Sequence, residues 1–248
     1  MEKAFQEIGR TAIITGGASG LGQTLALTLI NEGFSVIVLD KMPEEKLDKK
    51  YSSKLKKYIE LDLSDIESVS SIINNYFENE VIKPDVLIIN AFPRIFKRFE
   101  NFNKQDIVGF INCAFTGQLI ILNYFLQKMI FNNQLANIII IGSKSAVKGY
   151  SSGALYCSLK SAWITFHESL EKELASMKYN ITVTTICPGS LTDTEGNKLS
   201  QYNLIVNKVK KELIKSINSS RSDIVFTIGF KSKLLLTFQI LQKLLKVW

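Results

Sequence analysis

Ala12-Ile-Ile-Thr15-Gly-Gly-Ala-Ser-Gly20-Leu-Gly22 is the stretch that decides the fold of this 248-residue chain. An apolar run that ends at Thr15 predicts a buried strand, and the spacing of apolar residues in Leu21–Glu32 predicts a helix directly after the glycines. Glycines alone would fit any tight turn. Between a strand and a helix they let the backbone approach a pyrophosphate, which the N–H groups of the helix N-terminus attract. The residues of this predicted phosphate cradle are Gly16, Ser19, Gly20, Leu21 and Gly22.

Apolar β-branched runs alternate with helical patterns along most of the chain. Strands are predicted at Ala12–Thr15, Val36–Asp40, Tyr58–Leu61, Val86–Asn90, Ile138–Gly142 and Ile181–Cys187. Helices are predicted at Leu21–Glu32, Ile66–Glu80, Lys104–Phe131, Ala154–Met177 and Ser200–Ile217. Strands alternating with helices form parallel sheets, and near-continuous apolar strands are covered on both faces. The pattern therefore predicts one α/β domain, a three-layer α/β/α, doubly wound, mostly parallel sheet known as a Rossmann fold.

The net charge of +7 is concentrated near the C-terminus. Residues 199–248 hold nine basic and two acidic side chains, so residues 1–198 are neutral. We expect 1–198 to form the catalytic domain, 199–248 to be a basic C-terminal extension of it, and nucleic acid not to be a partner. If Lys231–Trp248 is helical, its basic and apolar side chains lie on opposite sides. Such a helix could make peripheral membrane contact, or be buried against the domain or a partner subunit.

The cysteines and the apolar stretches narrow the class of protein further. Cys113, Cys157 and Cys187 lack C-x-x-C spacing, so neither a disulfide framework nor a metal site is expected. The apolar stretches are expected to be too interrupted for a membrane span of about 20 residues, and Met1–Arg10 lacks the apolar segment of a secretion signal. We therefore expect a cytoplasmic enzyme.

Two acidic residues follow predicted strands. Asp40 lies eighteen residues after Gly22, where a carboxylate can accept both ribose hydroxyls of NAD and repel the 2′-phosphate of NADP. Lys41 beside it would partly offset that repulsion, and Asp40 could also cap a loop. Asp62 either borders an adenine ring or caps the N-terminus of the following helix. NAD is expected over NADP.

Tyr156 and Lys160 lie four residues apart in a predicted helix, and Ser143 stands thirteen residues before Tyr156. Residues at this spacing share one helix face. A phenol, whose pKa is near 10, can transfer protons near neutral pH only if positive charge lowers that pKa, and Lys160 could supply the charge. A second Tyr-x-x-x-Lys pair, Tyr124 and Lys128, has no serine thirteen residues upstream. The sequence therefore predicts Tyr156 as the acid/base group.

His167, the only histidine, is expected to be structural. It lies eleven residues after Tyr156, which places it about 16 Å further along the helix axis. A single histidine also argues against a zinc-dependent dehydrogenase and a Ser-His-Asp hydrolase.

Over about residues 8–195 these ordered motifs resemble the short-chain dehydrogenase/reductase family. Thr15–Gly22 is similar to its T-G-x-x-x-G-x-G turn, Asn90-Ala91 to its N-A-G strand end, and Pro188-Gly189 follows the sixth strand as in the family. The resemblance implies an NAD(P)-dependent oxidoreductase acting on CH–OH groups, and a homodimer or homotetramer paired through the helices at Lys104–Phe131 and Ala154–Met177. The implied catalytic residues are Asn112, Ser143, Tyr156 and Lys160. The implied cofactor-binding residues are Gly16, Ser19, Gly20, Leu21, Gly22, Asp40, Asp62, Leu63, Asn90, Ala91, Tyr156, Lys160, Pro188 and Gly189.

By the same resemblance, Ser143 would hydrogen-bond the substrate oxygen and Asn112 would position a water linked to Lys160. The alternative for Asn112 is a core amide that kinks its helix. Three features depart from the family: Phe92 replaces the glycine of N-A-G, Asp193 stands at the usual threonine position, and the glycine-rich C-terminal ending is absent. Phe92 must either bend the backbone differently or fill substrate space.

Substrate choice is expected to come from three loops at the carboxyl ends of the later strands, Phe92–Asn103, Lys144–Ser152 and Leu191–Tyr202. Arg94 and Arg98 are candidates for binding a substrate anion, or are solvated loop arginines. Asn90-Ala-Phe-Pro-Arg94 is similar to the N-A-Y-P-R segment of family members in sugar-acid and surface-glycan biosynthesis, which implies a sugar or nucleotide-sugar substrate. The predicted substrate residues are Phe92, Arg94, Ser143 and Tyr156.

Two functions remain open at this point. The first is an NAD(H)-dependent oxidoreductase that interconverts a secondary alcohol and a ketone. The second, suggested by Phe92, is a catalytically weak dinucleotide-binding sensor or scaffold. Either could contact a membrane through the C-terminal segment.

Overall fold

The computed structural model describes residues 9–80, 82–189, 198–219 and 222–227. Within these residues, seven strands form one sheet in the order β3-β2-β1-β4-β5-β6-β7, and every neighbouring pair is parallel. The strands are β1 (Thr11–Thr15), β2 (Ser35–Asp40), β3 (Lys57–Glu60), β4 (Val86–Ile89), β5 (Ala136–Ile141), β6 (Ile181–Pro188) and β7 (Asp223–Thr227). The predicted doubly wound Rossmann fold is confirmed.

Helices cover both faces of the sheet. They are α1 (Gly20–Asn31), α2 (Lys49–Ser52), α3 (Ile66–Ile72), α4 (Lys104–Ile111), α5 (Gly117–Phe131), α6 (Ala154–Ser176) and α7 (Lys198–Ile217). A π-helical turn at Ile73–Phe77 extends α3, and a second one at Asn112–Thr116 joins α4 to α5. The helices predicted at Ile66–Glu80 and Lys104–Phe131 are therefore present, each with a π-helical turn.

The π-helical turn between α4 and α5 is held by side chains around one carbonyl group. The Ala114 oxygen accepts hydrogen bonds from Gln118 Nε2 at 3.1 Å and from Trp163 Nε1 at 2.9 Å. Both donors are buried, and an unpaired amide would be costly there. The turn thus ties α5 to α6 close to the carboxyl ends of the strands.

Alternating strand residues feed two apolar layers. Ile13 packs with Phe125 of α5 on one face, whereas Ile14 packs with Leu25 of α1 and Val209 of α7 on the other. All of these side chains are buried, and burial of such a side chain contributes about 1.5–3 kcal/mol. Helices therefore pack on both faces of the sheet, and the strand ends that carry the loops are held in fixed positions.

The C-terminal segment contains the helix predicted at Ser200–Ile217, observed as α7, and one strand, β7, that the sequence pattern did not predict. β7 pairs with β6, and Val209 and Leu213 of α7 are buried in the same layer as α1. Asp223-Ile-Val-Phe-Thr227 has strand-like composition, but this strand was not predicted because it lies in a basic segment. The amphipathic helix predicted at Lys231–Trp248 lies outside the described residues.

The expectation that every apolar stretch is too short to span a membrane is wrong for one segment of the described chain. Lys104–Phe131 is 28 residues long with a mean hydropathy of 1.5, which suffices by length and composition. Ile121, Phe125 and Met129 of this segment pack into the core. Only 33% of its most apolar window is buried, and further apolar side chains such as Phe115, Leu119 and Leu126 are partly buried against the core.

Candidate active site

Most of the predicted site residues line one cavity of about 960 Å³. The cavity opens at the carboxyl ends of the strands, where the sheet order reverses between β1 and β4, the usual ligand position in such sheets. The lining includes the predicted residues Gly16, Ser19, Gly20, Leu21, Gly22, Asp40, Asp62, Leu63, Asn90, Ala91, Phe92, Arg94, Ser143, Tyr156, Lys160, Pro188 and Gly189. Asn112 is not part of it.

The glycine turn is closed by Asn90. Its Nδ2 donates hydrogen bonds to the carbonyl oxygens of Thr15 at 3.0 Å and Gly16 at 2.8 Å. A Cβ at Gly22 would lie 1.9 Å from the Gly16 oxygen and 2.6 Å from Asn90 Nδ2. Only glycine fits there, so the first turn of α1 can approach the strand end closely.

The N-terminus of α1 fits an anionic ligand. Ser19 is the N-cap of the helix, but its side chain makes no capping hydrogen bond to the first-turn N–H groups. Such N–H groups attract phosphate, and Gly16 and Gly20, with φ of 67° and 56°, bring the backbone around to them. The cradle therefore has the shape and charge that a dinucleotide pyrophosphate requires.

A buried polar network that the sequence reading missed fixes the strand end beside this turn. Thr15 Oγ1 donates to Gln118 Oε1 at 3.0 Å and accepts from the N–H groups of Asn90 at 2.9 Å and Ala91 at 3.2 Å. Gln118 Nε2 donates to the Ala91 carbonyl at 2.6 Å, and Gln118 is only 1% exposed. Its signal was an amide placed directly before the apolar run Leu119–Leu122 of the predicted helix.

Asp40 both borders the cavity and holds its own loop. Its carboxylate accepts hydrogen bonds from the N–H groups of Ala18 at 2.9 Å and Met42 at 3.0 Å. Asp62 accepts from the N–H and the hydroxyl of Ser64, and the N-cap of α3 is Asp65. The alternative that Asp62 caps this helix is therefore wrong.

Ser143 and Tyr156 meet at the inner end of the cavity. Ser143 follows β5, and its Oγ accepts a hydrogen bond from the Ser145 N–H at 3.1 Å, which orients the side chain. Burial raises the pKa of Tyr156, while a hydrogen bond with Ser143 and the charge of Arg94 act in the opposite direction. The phenol is therefore protonated and hydrogen-bonded to the serine.

Lys160 is buried below the same cavity wall. It is 3% exposed, its Nζ donates a hydrogen bond to the Ile141 carbonyl at 2.7 Å, and burial lowers its pKa to about 7. The Phe92 ring covers the amine at 3.8 Å from the ring centroid and contacts the Tyr156 ring at 5.0 Å between centroids. The expectation that Lys160 lowers the pKa of Tyr156 is therefore wrong for this structure, in which burial dominates and Phe92 packs against both side chains.

Asn112 lies at the start of the π-helical turn. Its Nδ2 donates a hydrogen bond to the Ser64 carbonyl at 3.1 Å, joining this turn to the loop after β3. This placement agrees with the alternative of an amide at a helix distortion. The water-positioning role implied by the resemblance stays a prediction.

Two other candidates lie away from the cavity lining. His167 is buried with Nδ1 3.0 Å from Thr185 Oγ1, and burial lowers its pKa to about 4. Lys128 of the second Tyr-x-x-x-Lys pair binds Glu78 at 3.1 Å, and its amine lies over the Tyr124 ring. Both arrangements are structural.

The outer end of the cavity is lined by residues that sequence reasoning did not single out. Phe96, Tyr150 and Tyr202 border it, whereas Arg98 does not and pairs with Glu100. The signal available was the aromatic content of the predicted substrate loops. Residues 190–197 lie outside the described residues. They include the Asp193 position and most of the predicted Leu191–Tyr202 loop.

Comparison with known proteins agrees with this geometry. Residues 10–203 match the family model described as short chain dehydrogenase. The 2,3-dihydro-2,3-dihydroxybenzoate dehydrogenase of Bacillus subtilis is 30% identical over 192 residues, covering 75% of this chain and 71% of that protein. The NADP-dependent 3-hydroxy acid dehydrogenase of Schizosaccharomyces pombe is 28% identical over 194 residues, covering 75% and 73%.

Solved structures share the fold at lower identity. A short-chain dehydrogenase from Novosphingobium aromaticivorans, described as putative, superposes with a TM-score of 0.77 at 22% identity, covering 96% of this chain and 87% of that one. One from Leptospira borgpetersenii with bound NAD+ gives 0.72 at 19% identity, covering 87% and 91%. The chain belongs to the short chain dehydrogenase family. It is an NAD(P)-dependent oxidoreductase that acts on CH–OH groups.

Proposed function

We propose that this protein interconverts a secondary alcohol and a ketone with NAD(H), and that Tyr156 is the acid/base. The observation that carries the proposal is the hydrogen-bonded Ser143 and Tyr156 pair beside buried Lys160, in the cavity that also contains the glycine cradle. The proposed dinucleotide site and proton-transfer group would thus share one cavity, as hydride transfer at a carbinol carbon requires.

Each group of residues would bind a different part of the cofactor or the substrate. The glycine turn would hold the pyrophosphate, Asp40 the adenosine ribose, and Lys160 the second ribose. When bound, the nicotinamide supplies the hydride acceptor or donor. Ser143 would hold the substrate oxygen at Tyr156, which donates its proton to that oxygen in reduction and takes it back in oxidation. The pKa of Lys160, about 7, suits an amine that exchanges a proton at neutral pH.

The proposed preference for NAD rests on Asp40. Hydrogen bonds from Ala18 and Met42 fix its carboxylate at the edge of the cavity, where it would repel a 2′-phosphate. Lys41, also in the lining, weakens that repulsion. The named relatives include an NADP-dependent enzyme and one with NAD+ bound, so cofactor choice must come from this chain's own residues.

A sugar or nucleotide-sugar in cell-surface glycan biosynthesis is the substrate suggested by the Asn90–Arg94 segment. Relatives are named for other substrates, among them a 3-hydroxy acid and a dihydroxybenzoate derivative. The proposal for this chain is therefore tested with a panel that includes sugars, sugar acids and hydroxy acids.

The assay follows formation of reduced nicotinamide while purified protein, each panel alcohol and either NAD or NADP are mixed. We expect turnover of at least one alcohol, with kcat/KM higher for NAD. Turnover that strongly prefers NADP would overturn the role given to Asp40 but not the reaction.

The second candidate is a catalytically weak dinucleotide-binding sensor or scaffold. The position of Phe92 over Lys160 favours it, because the ring covers the amine that the reaction uses. Tight binding of NAD without turnover of any panel alcohol in either direction would support this candidate and refute the first.

We also propose a homodimer or homotetramer, supported by the incomplete burial of apolar side chains in the segment Lys104–Phe131, among which Val108 and Phe131 are exposed. A cytoplasmic location is proposed as well, since the three cysteines are free thiols, as is usual in reducing compartments. Peripheral membrane contact through the C-terminal segment is tested by co-sedimentation with anionic vesicles, before and after removal of residues 231–248.

A further inference from the structure

The substrate end of the cavity is walled by aromatic rings. Phe96 contacts Tyr156 at 5.1 Å and Tyr150 at 6.4 Å between centroids, and Phe92 contacts Tyr156 at 5.0 Å from the inner side. Phe96 and Tyr150 remain 44% and 47% exposed although they are large and mainly apolar. Exposed rings clustered at a cavity mouth mark a binding surface for a flat apolar face.

One cation stands at this wall without a partner in the described part of the chain. Arg94 lies between Phe92 and Phe96 in sequence and lines the cavity. Its positive charge acts to lower the pKa of Tyr156. Within the described residues Arg94 forms no hydrogen bond or ion pair, whereas the neighbouring Lys97 pairs with Asp106.

The carboxylates of the described lining are placed elsewhere. They are Asp40 and Asp62, which follow β2 and β3 on the adenosine side of the sheet order. The substrate end instead adds Lys144 to Arg94. A guanidinium in such surroundings favours an anion that it can bind through two parallel N–H donors, as it binds a carboxylate or a phosphate.

We propose that the substrate is an alcohol that carries a carboxylate and a ring face, with the carboxylate bound by Arg94 and the ring stacked on Phe96 and Tyr150. This inference rests on the proposed alcohol–ketone reaction at the same site. The ring can come from an aromatic hydroxy acid or from a sugar acid, since both present a flat face of C–H or π character to an aromatic wall. Arg94, Phe96 and Tyr150 are then specificity-determining residues.

Ligand binding tests this proposal independently of turnover. Calorimetry with the NADH-saturated protein would compare benzoate with benzamide, and glucuronate with glucuronamide. We expect at least one carboxylate to bind roughly 10- to 100-fold more tightly than its neutral amide, as expected for hydrogen bonds to a charged group. Tighter benzoate would identify an aromatic acid as the ring source, and tighter glucuronate a sugar acid.

Matched variants assign the effect to its residues. Arg94→Gln should remove the preference for the carboxylate, while Arg98→Gln, which changes an arginine of the same loop outside the cavity lining, should keep it. Phe96→Ala should weaken both members of the preferred pair. Equal binding of acid and amide, or equal behaviour of the two arginine variants, would overturn the proposal. If carboxylates bind as expected but no alcohol is turned over, the role of Arg94 in carboxylate binding stands and the proposed reaction fails.

Discussion

At the scale of single residues, burial of the Lys160 amine costs free energy in the folded protein. Its amine is buried, with a pKa of about 7, because the Ile141 carbonyl and the Phe92 ring replace water around it. A cation–π contact in a desolvated site contributes about 2 kcal/mol and only partly offsets the loss of hydration. The residue to which we assign a catalytic role is thus costly for the stability of the fold.

This cost predicts how stability depends on pH. As the pH rises from 7 to 9, Lys160 loses its proton in the folded protein but stays protonated in the unfolded chain, where its pKa is about 10.4. The unfolded state then binds more protons, so the free energy of unfolding attributable to Lys160 rises with pH, by up to about 1.4 kcal/mol per pH unit. Urea unfolding without added cofactor would measure it.

Comparison with Lys160→Met isolates the contribution. The stability of wild type relative to this variant should increase by roughly 1–2 kcal/mol from pH 7 to pH 9. Lys148→Met changes an exposed lysine and should run parallel to wild type. If wild type and Lys160→Met have the same pH dependence, the lysine is not buried as described.

Residue chemistry was partly readable from the sequence. The sequence spacing was enough to predict that Ser143, Tyr156 and Lys160 lie close together, because strand ends and helix faces fix their positions. All three line one cavity. The direction of the pKa shift of Tyr156 was not readable, since it depends on burial by side chains distant in sequence. The contact of Phe92 with Lys160 likewise needed the three-dimensional arrangement.

At the scale of elements, the glycine turn joins β1 to α1 with almost no free space. A methyl group at Gly22 would collide with the Gly16 carbonyl, which is backbone and cannot swing aside. The turn and Asn90 form one rigid unit, so displacement of α1 would also move the N–H groups that face the cavity.

Two glycine substitutions test this packing by comparing a tightly packed glycine with one that has open space around it. Gly22→Ala should destabilise the protein by about 1–3 kcal/mol and weaken NADH binding, because the first turn of α1 must shift. Gly109→Ala, in α4 with open space around its Cβ position, should stabilise it by about 0.5–1 kcal/mol and leave binding unchanged. Thermal unfolding and NADH fluorescence titration measure both. A Gly22→Ala protein with wild-type stability and NADH affinity would contradict the account.

Element positions were predicted well where periodicity was strong. The six expected strands are present because their apolar runs are unbroken, and β7 was missed because Asp223 and the basic surroundings masked a short run. The π-helical turns were not readable, since they are held by distant partners such as Trp163 and Gln118.

At the scale of the whole molecule, the incomplete burial of apolar side chains in the segment Lys104–Phe131 requires an explanation. Val108 and Phe131 are exposed at its two ends, and most of the apolar window between them is not buried within one chain. An apolar patch of this length is typical of a subunit interface. It agrees with the proposed pairing of copies through this segment.

Light scattering coupled to size exclusion checks this. We expect a mass of two or four times 27.9 kDa. Val108→Glu places a charge on the patch and should shift the mass toward one chain, whereas Leu135→Glu, exposed beyond α5, should not. A wild-type mass of 27.9 kDa at micromolar concentration would rule out the proposed oligomer.

The two Tyr-x-x-x-Lys pairs of this chain provide the most direct test of the central claim. Tyr156→Phe and Tyr124→Phe each delete one phenolic hydroxyl, one inside the cavity and one beside Glu78 and Lys128. With a panel alcohol that wild type oxidises, kcat of Tyr156→Phe should fall by about 10²- to 10⁴-fold while NADH affinity is kept, and Tyr124→Phe should match wild type. A Tyr156→Phe enzyme that turns over at a rate close to that of wild type would contradict the assignment of Tyr156 as the acid/base.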